Sequence, residues 1–139
     1  ERAPSNLRKH FDLIRKTVGM ASLKDTAERL LALPTEGDEW LATAVDTFRR
    51  GSPTSAALAW ELQHRCRHRA LSDVFRIEYN VAISCCAAHD FAEGVRALLI
   101  DKDRSPKWDP PTLAAVEQKF IESHFRDHHD GAHPLSDWR

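Results

Sequence analysis

Little in this chain would bend or cross-link a backbone, and each scarcity excludes something. Five glycines in 139 residues, scattered among helical segments, leave no glycine-rich strand-to-helix turn of the kind that cradles phosphate or builds an oxyanion hole. Three cysteines, Cys66, Cys85 and Cys86, make no disulfide framework, because the count is odd and two are adjacent. The absence of any CxxC pair excludes a zinc ribbon or thioredoxin-type centre. Reduced thiols used as small core residues are the expectation, which suits a reducing compartment. The longest apolar runs, around Val81–Ala88 and Val95–Ile100, fall short of the roughly 18 residues of a membrane span. A net charge of −1 gives no global field toward nucleic acid or anionic lipid, so such binding would need a local patch. No strand-like alternation and no repeat of roughly 20–50 residues appears. No signal or transit pattern is visible, and Glu1 is not a methionine, so the terminus does not indicate a compartment.

What is present is helix. Hydrophobic residues at 42% and charged residues at 29% suit a globular chain, and the apolar spacing is helical nearly throughout. Leu7 to Val18 predicts a first helix with Leu7, Phe11, Leu13 or Ile14, and Val18 near one face, ended by Gly19. Ser22 caps a second that runs to Leu31, with Asp25 in its first turn. Glu39–Arg50 follows, with Trp40, Leu41, Ala44, Val45 and Phe48 inward and Gly51 just beyond its end. Ser52-Pro53 opens a fourth helix to about His68, burying Ala57, Leu58, Trp60 or Leu62, and Cys66. Ser72 caps a fifth from Asp73 to about Ala88. Asp90 with Glu93 resembles a capping box at the start of a sixth, ending near Leu99. Gly94 inside it costs about 1 kcal/mol against alanine, which points to a packing or ligand reason. A polar loop, 100–111, precedes a last helix from Thr112 to Phe125. The fold class is all-α with about seven helices, one domain over 1–125, and a loose histidine-rich tail over 126–139.

The most specific text is Glu78-Tyr79, then His89-Asp90-Phe91-Ala92-Glu93-Gly94-Val95-Arg96-Ala97, then Ile100-Asp101-Lys102-Asp103-Arg104-Ser105-Pro106-Lys107-Trp108. It resembles the C-terminal signature of the 3-hydroxyisobutyryl-CoA hydrolases, a branch of the enoyl-CoA hydratase/isomerase (crotonase) superfamily. Ser52-Pro53-Thr54-Ser55 upstream and His124-Phe125 downstream fit the same pattern, and Leu7 to Arg50 follows it in helical layout. A DFxEG motif alone indicates only a crotonase; the lysine–proline–tryptophan loop narrows it to the hydrolases. One position departs: Asn80 stands where many relatives carry arginine.

The resemblance implies a C-terminal helical cap without the ββα-spiral core that carries the catalytic carboxylates and oxyanion hole. Members cleave the thioester of 3-hydroxyisobutyryl-CoA in mitochondrial valine breakdown. Thioester cleavage needs a stabilised oxyanion and a carboxylate acting on water or as nucleophile, so these residues are expected to hold no catalytic group and no cofactor. The implied partners are a crotonase-core chain or domain and, through it, a CoA thioester. Lys102, Lys107 and Arg96, with Arg104 behind them, are the candidates to meet CoA phosphates, while Phe91 and Trp108 suit packing better than adenine stacking.

A second expectation is a non-catalytic structural subunit of a large mitochondrial assembly, such as the small subunit of a mitochondrial ribosome. In that case Arg65, Arg67 and Arg69, within the basic run His64–Arg69, would face RNA or a neighbouring subunit. The pairs His124/His128 and His129/His133 have i, i+4 spacing, but with no cysteine nearby and no HExxH pattern a polar tail is expected rather than a metal site.

Overall fold

The computed structural model describes residues 5–19 and 22–137. Among these the protein is helical with no strand, and it divides into two compact units, Glu1–Gly51 and Ser52–Arg139.

The first unit holds α1 (Asn6–Lys9), α2 (Phe11–Val18), α3 (Leu23–Leu31) and α4 (Glu39–Arg50). The single helix expected over Leu7–Val18 is broken at His10. There the imidazole turns inward, stacks on Trp40 with centroids 5.3 Å apart and comes within 3.0 Å of the Asp38 carboxylate, a close contact without hydrogen-bond geometry. Asp38 also caps α4 by accepting the Leu41 N–H and receives the Lys9 ammonium at 2.7 Å. Those two donors, Lys9 first, hold its carboxyl below the usual range. Ser22 caps α3 through the Asp25 N–H. Gly19 closes α2 with its N–H on the Arg15 carbonyl; a Cβ there would stand 2.5 Å from that oxygen, so the close needs glycine. Ala27, Leu41 and Val45 form the core. The Leu7, Phe11 and Val18 side of α1 and α2 is exposed.

The second unit runs α5 (Pro53–Arg65), α6 (Leu71–Ala87), α7 (His89–Val95), a π-helical turn (Arg96–Ile100), a 3₁₀ turn (Leu113–Ala115) and α8 (Gln118–Ser123). Ser52 caps α5 by accepting the Ser55 N–H, with Pro53 in the first turn as the sequence suggests. The helix stops at Arg65, short of His68, because His68 adopts a left-handed φ of 66°. Ser72 lies inside α6, whose N-cap is Ala70 without a side-chain bond. The helix expected over Thr112–Phe125 is two pieces, the 3₁₀ turn and α8, separated by extended backbone at Val116 and Glu117. With the His10 break, this gives eight α-helices among the described residues in place of about seven.

Helix α5 packs against α8 and the 3₁₀ turn, and α6 against α7. Ala57, Leu58, Val81, Ala97 and Ile121 are buried. Of the cysteines, Cys66 and Cys85 are half-buried and Cys86 is exposed rather than in the core; burial, then the neighbouring Cys86, raises the Cys85 thiol. Residues 126–137 form no helix yet lie along α6. Arg76 donates to the Leu135 and Ser136 carbonyls, the Tyr79 ring meets those of His129 and His133, and His128 Nε2 lies 2.6 Å from Ser84 Oγ. Such contacts depend on single side chains and leave no periodic signal. Residues 138 and 139 of the expected tail lie outside the described ones.

Candidate functional site

The densest polar construction joins α7 to the loop that follows it. Helix α7 begins at His89 with Ala88 as N-cap, so Asp90 sits inside the first turn and the expected capping box does not form. Asp90 binds outward instead, accepting from Ser52 Oγ at 2.5 Å and from the Asp109 N–H at 2.9 Å. Glu93 accepts the Lys107 N–H at 2.7 Å and two N–H groups of Arg96. Arg96 first, then the Lys107 amide, pull the Glu93 carboxyl down to about 2.

Arg96 opens the π turn, whose wide i→i−5 bond runs from the Asp101 N–H to the Arg96 carbonyl. Its guanidinium meets Glu93, Asp103 and Asp101, which together raise its already high pKa. Asp103 is held low by Arg96 and then by the Ser105 N–H. The loop is therefore laced from within: acids face Arg96, and the His89 Nε2–H donates to the Lys107 carbonyl. Arg96 is the hub of this network, with its donors occupied by the loop itself.

Lys102 and Lys107 share that loop with exposed side chains, and Lys102 has a left-handed φ of 55°, as does Arg104. Immediately before it, Leu98, Leu99 and Ile100 are 58%, 68% and 69% exposed. Three consecutive apolar side chains open to water on an anchored turn are unusual, and π turns concentrate at functional sites. Nothing in the residue pattern marks this turn.

Beside it lies a groove of about 420 Å³, with Leu58, Phe91, Val95, Leu98, Trp108 and His124 among its walls. The Trp108 ring passes 3.5 Å from where a Cβ on Gly94 would be, an ordinary contact distance, so packing against the indole leaves room for a methyl group but not for a larger side chain. The His124 Nδ1–H donates to the Phe120 carbonyl.

The basic run is not one surface. Arg65 is drawn into the fold by Glu61 and Glu122, the latter at 2.5 Å, and its guanidinium covers the Phe125 ring at 3.9 Å. Arg67 and Arg69 remain exposed in the turn after α5. Asn80, at the position that departs from the resemblance, has a buried carboxamide oxygen without a partner. Among the described residues no group of three or more His, Cys, Asp or Glu could hold a metal ion, and no helix is long and apolar enough to cross a membrane.

Comparison with known proteins gives this geometry a setting. Residues 1–125 match the family model described as Enoyl-CoA hydratase/isomerase. The mitochondrial 3-hydroxyisobutyryl-CoA hydrolase of Danio rerio is 35% identical over 122 residues, 88% of this chain and 31% of that protein. That of Homo sapiens is 32% identical over 120 residues, 86% of this chain and 30% of that protein. The crystal structure of an enoyl-CoA hydratase from Rhodobacter sphaeroides 2.4.1 superposes with a TM-score of 0.76 at 30% identity, covering 90% of this chain and 36% of the other. A carnitinyl-CoA dehydratase from Mycobacterium thermoresistibile superposes with the same TM-score at 28% identity. The chain thus spans about a third of the length of the relatives it matches.

Proposed function

Because the chain belongs to the enoyl-CoA hydratase/isomerase family, with the all-helical architecture of a crotonase C-terminal part, we propose that it is the cap of a 3-hydroxyisobutyryl-CoA hydrolase-like protein. Residues 1–125 form that cap, and it is seated on a crotonase core that carries the thioester-cleaving groups. The chain is not catalytic alone.

The observation that carries this proposal is the apolar step Leu98–Leu99–Ile100, exposed on a turn whose loop is fixed by Arg96. Burying a leucine or isoleucine contributes about 1.5–3 kcal/mol, so three of them give a docking surface ample reason to form. On the core, Lys102 and Lys107 reach toward the phosphates of a CoA thioester as flexible point charges. Arg96 acts behind them by holding the loop. The named mitochondrial relatives support a mitochondrial location.

A second reading rests on the exposed pair Arg67 and Arg69, which would suit RNA or a subunit of a large mitochondrial assembly. One purification from the source separates the two: native mass, mass spectrometry of every co-eluting chain, and a CoA-thioester hydrolysis assay. Co-elution with one crotonase-core chain, together with hydrolysis, is the expected result. Recovery in a megadalton particle without hydrolysis would overturn it in favour of the structural subunit.

A further inference from the structure

Residues 126–137 lie beyond the part of the chain that the family model matches, and two histidines hold them to α6. The His129 and His133 rings meet edge to face with centroids 5.2 Å apart, and the Tyr79 ring lies 5.4 Å from the first and 5.3 Å from the second. His133 Nδ1 accepts the Leu135 N–H at 3.0 Å, so the neutral ring carries its proton on Nε2. That Nε2 and the Nε2 of His129 are both shielded from water without a hydrogen-bond partner. From α6, Tyr79 and the Arg76 guanidinium face the cluster; Arg76 is paired with Asp73 and donates to the Leu135 and Ser136 carbonyls. The segment's own charges are Arg126, Asp127, Asp130 and Asp137. Asp127 accepts the His129 backbone N–H, and His128 sits against Ser84. Among the described residues no carboxylate comes within 4.0 Å of a nitrogen of either ring.

We propose that residues 126–137 form a proton-controlled strap on α6, closed at neutral pH and released in mild acid. Protonation of His133 puts a hydrogen on Nδ1, which then opposes the Leu135 N–H instead of accepting it. Two imidazolium rings 5.2 Å apart would also repel each other and the neighbouring Arg76 guanidinium. A charged ring whose N–H is shielded and unpartnered is disfavoured against the same ring in water. The open strap has water around both rings and takes up the protons that the closed one turns away. By linkage, closure is complete above the ordinary imidazole range, around pH 6.5, and is lost as pH falls through and below it. Release bares the α6 face that carries Arg76 and Tyr79, so access to that face follows the proton concentration.

Tyr79 is the chain's one tyrosine, so incorporating 3-fluorotyrosine into the full chain places a single ¹⁹F reporter against both rings. Line broadening by a dissolved nitroxide measures its exposure, and circular dichroism follows the helices. One proton taken up by the open strap alone shifts the closed-to-open ratio by up to about tenfold per pH unit below the imidazole range. The expected result is broadening at least about threefold greater at about pH 5 than at about pH 7.5, with the helical signal unchanged. In the double variant His133→Asn with His129→Phe, a carboxamide oxygen can still accept the Leu135 N–H and a ring can still meet Tyr79, but neither side chain takes up a proton. That variant should lose the acid response. Equal broadening of the parent at the two pH values would overturn the strap, and so would a double variant that responds to acid as the parent does.

Discussion

At Glu93, two N–H groups of Arg96 and the amide of Lys107 converge on one carboxylate, and the consequence is a pH dependence with a definite sign. The carboxyl stands at about 2 against an ordinary value of 4.5. A depressed acid stabilises the fold fully above its unfolded value and loses that contribution as pH falls through the folded one. Stability attributable to Glu93 is therefore complete above pH 4.5 and disappears toward pH 2. Asp38, Asp103 and Glu122, all lowered by cationic partners, act in the same direction. In urea titrations repeated across this range, the Glu93→Gln midpoint should fall less steeply with acid than that of the parent. Equal slopes would show that Glu93 is not a source of the acid sensitivity. Elsewhere, Ile121 is 2% exposed, and Ile121→Ala should cost about 2–5 kcal/mol in the same measurement by leaving a cavity. At Gly94 a methyl group would meet Trp108 at an ordinary contact distance, so Gly94→Ala is tolerated, whereas Gly94→Leu displaces the indole and should expose it to a fluorescence quencher.

Among elements, the π turn and its loop behave as one piece because Arg96 belongs to both. Arg96→Ala should raise hydrogen-exchange rates at the Ser105 and Lys107 amides, whose acceptors are Asp103 and Glu93, while amides of α5 and α6 stay slow. Uniform acceleration everywhere would mean that Arg96 supports the whole unit rather than the loop. How far sequence carries differs between elements for a physical reason. Ser52-Pro53 and Ser22 placed helix starts correctly because capping is local chemistry. The same logic failed at Asp90 and Ser72, where side chains that could cap are used for tertiary contacts or fall inside the helix. His10 breaks a helix whose pattern is continuous, because Trp40 and Asp38, 30 and 28 residues away, draw its ring inward. The i→i−5 turn was equally invisible, since it depends on how Arg96 is engaged rather than on periodicity. At the candidate site, the order of the motif gave the lysines and Arg96 but not the split between them: two exposed cations, and one enclosed by three carboxylates.

For the molecule as a whole, the apolar ledger is lopsided. Among the described residues, Ala27, Leu41 and Val45 are the buried apolar ones of the first unit, and alanines account for two of the five in the second. Against these, large apolar side chains lie open: Leu7, Phe11 and Val18 in one unit, Leu71, Phe91 and Leu98–Ile100 in the other. Small cores stabilise weakly, and wide exposed apolar surface marks a partner. The proposed occupant of that surface is a crotonase core, in keeping with membership of the enoyl-CoA hydratase/isomerase family. The most direct measurement introduces Leu98→Asp together with Leu99→Asp into the tagged chain in its source and weighs the complex it enters. Both side chains are more than half exposed, so the isolated chain should keep its helical circular dichroism. Loss of at least about tenfold of the co-eluting core chain is the predicted outcome, as desolvating an unpaired charge costs more than 1.4 kcal/mol. Undiminished co-elution of the core with the doubly substituted chain would contradict the claim that this face is where the cap docks.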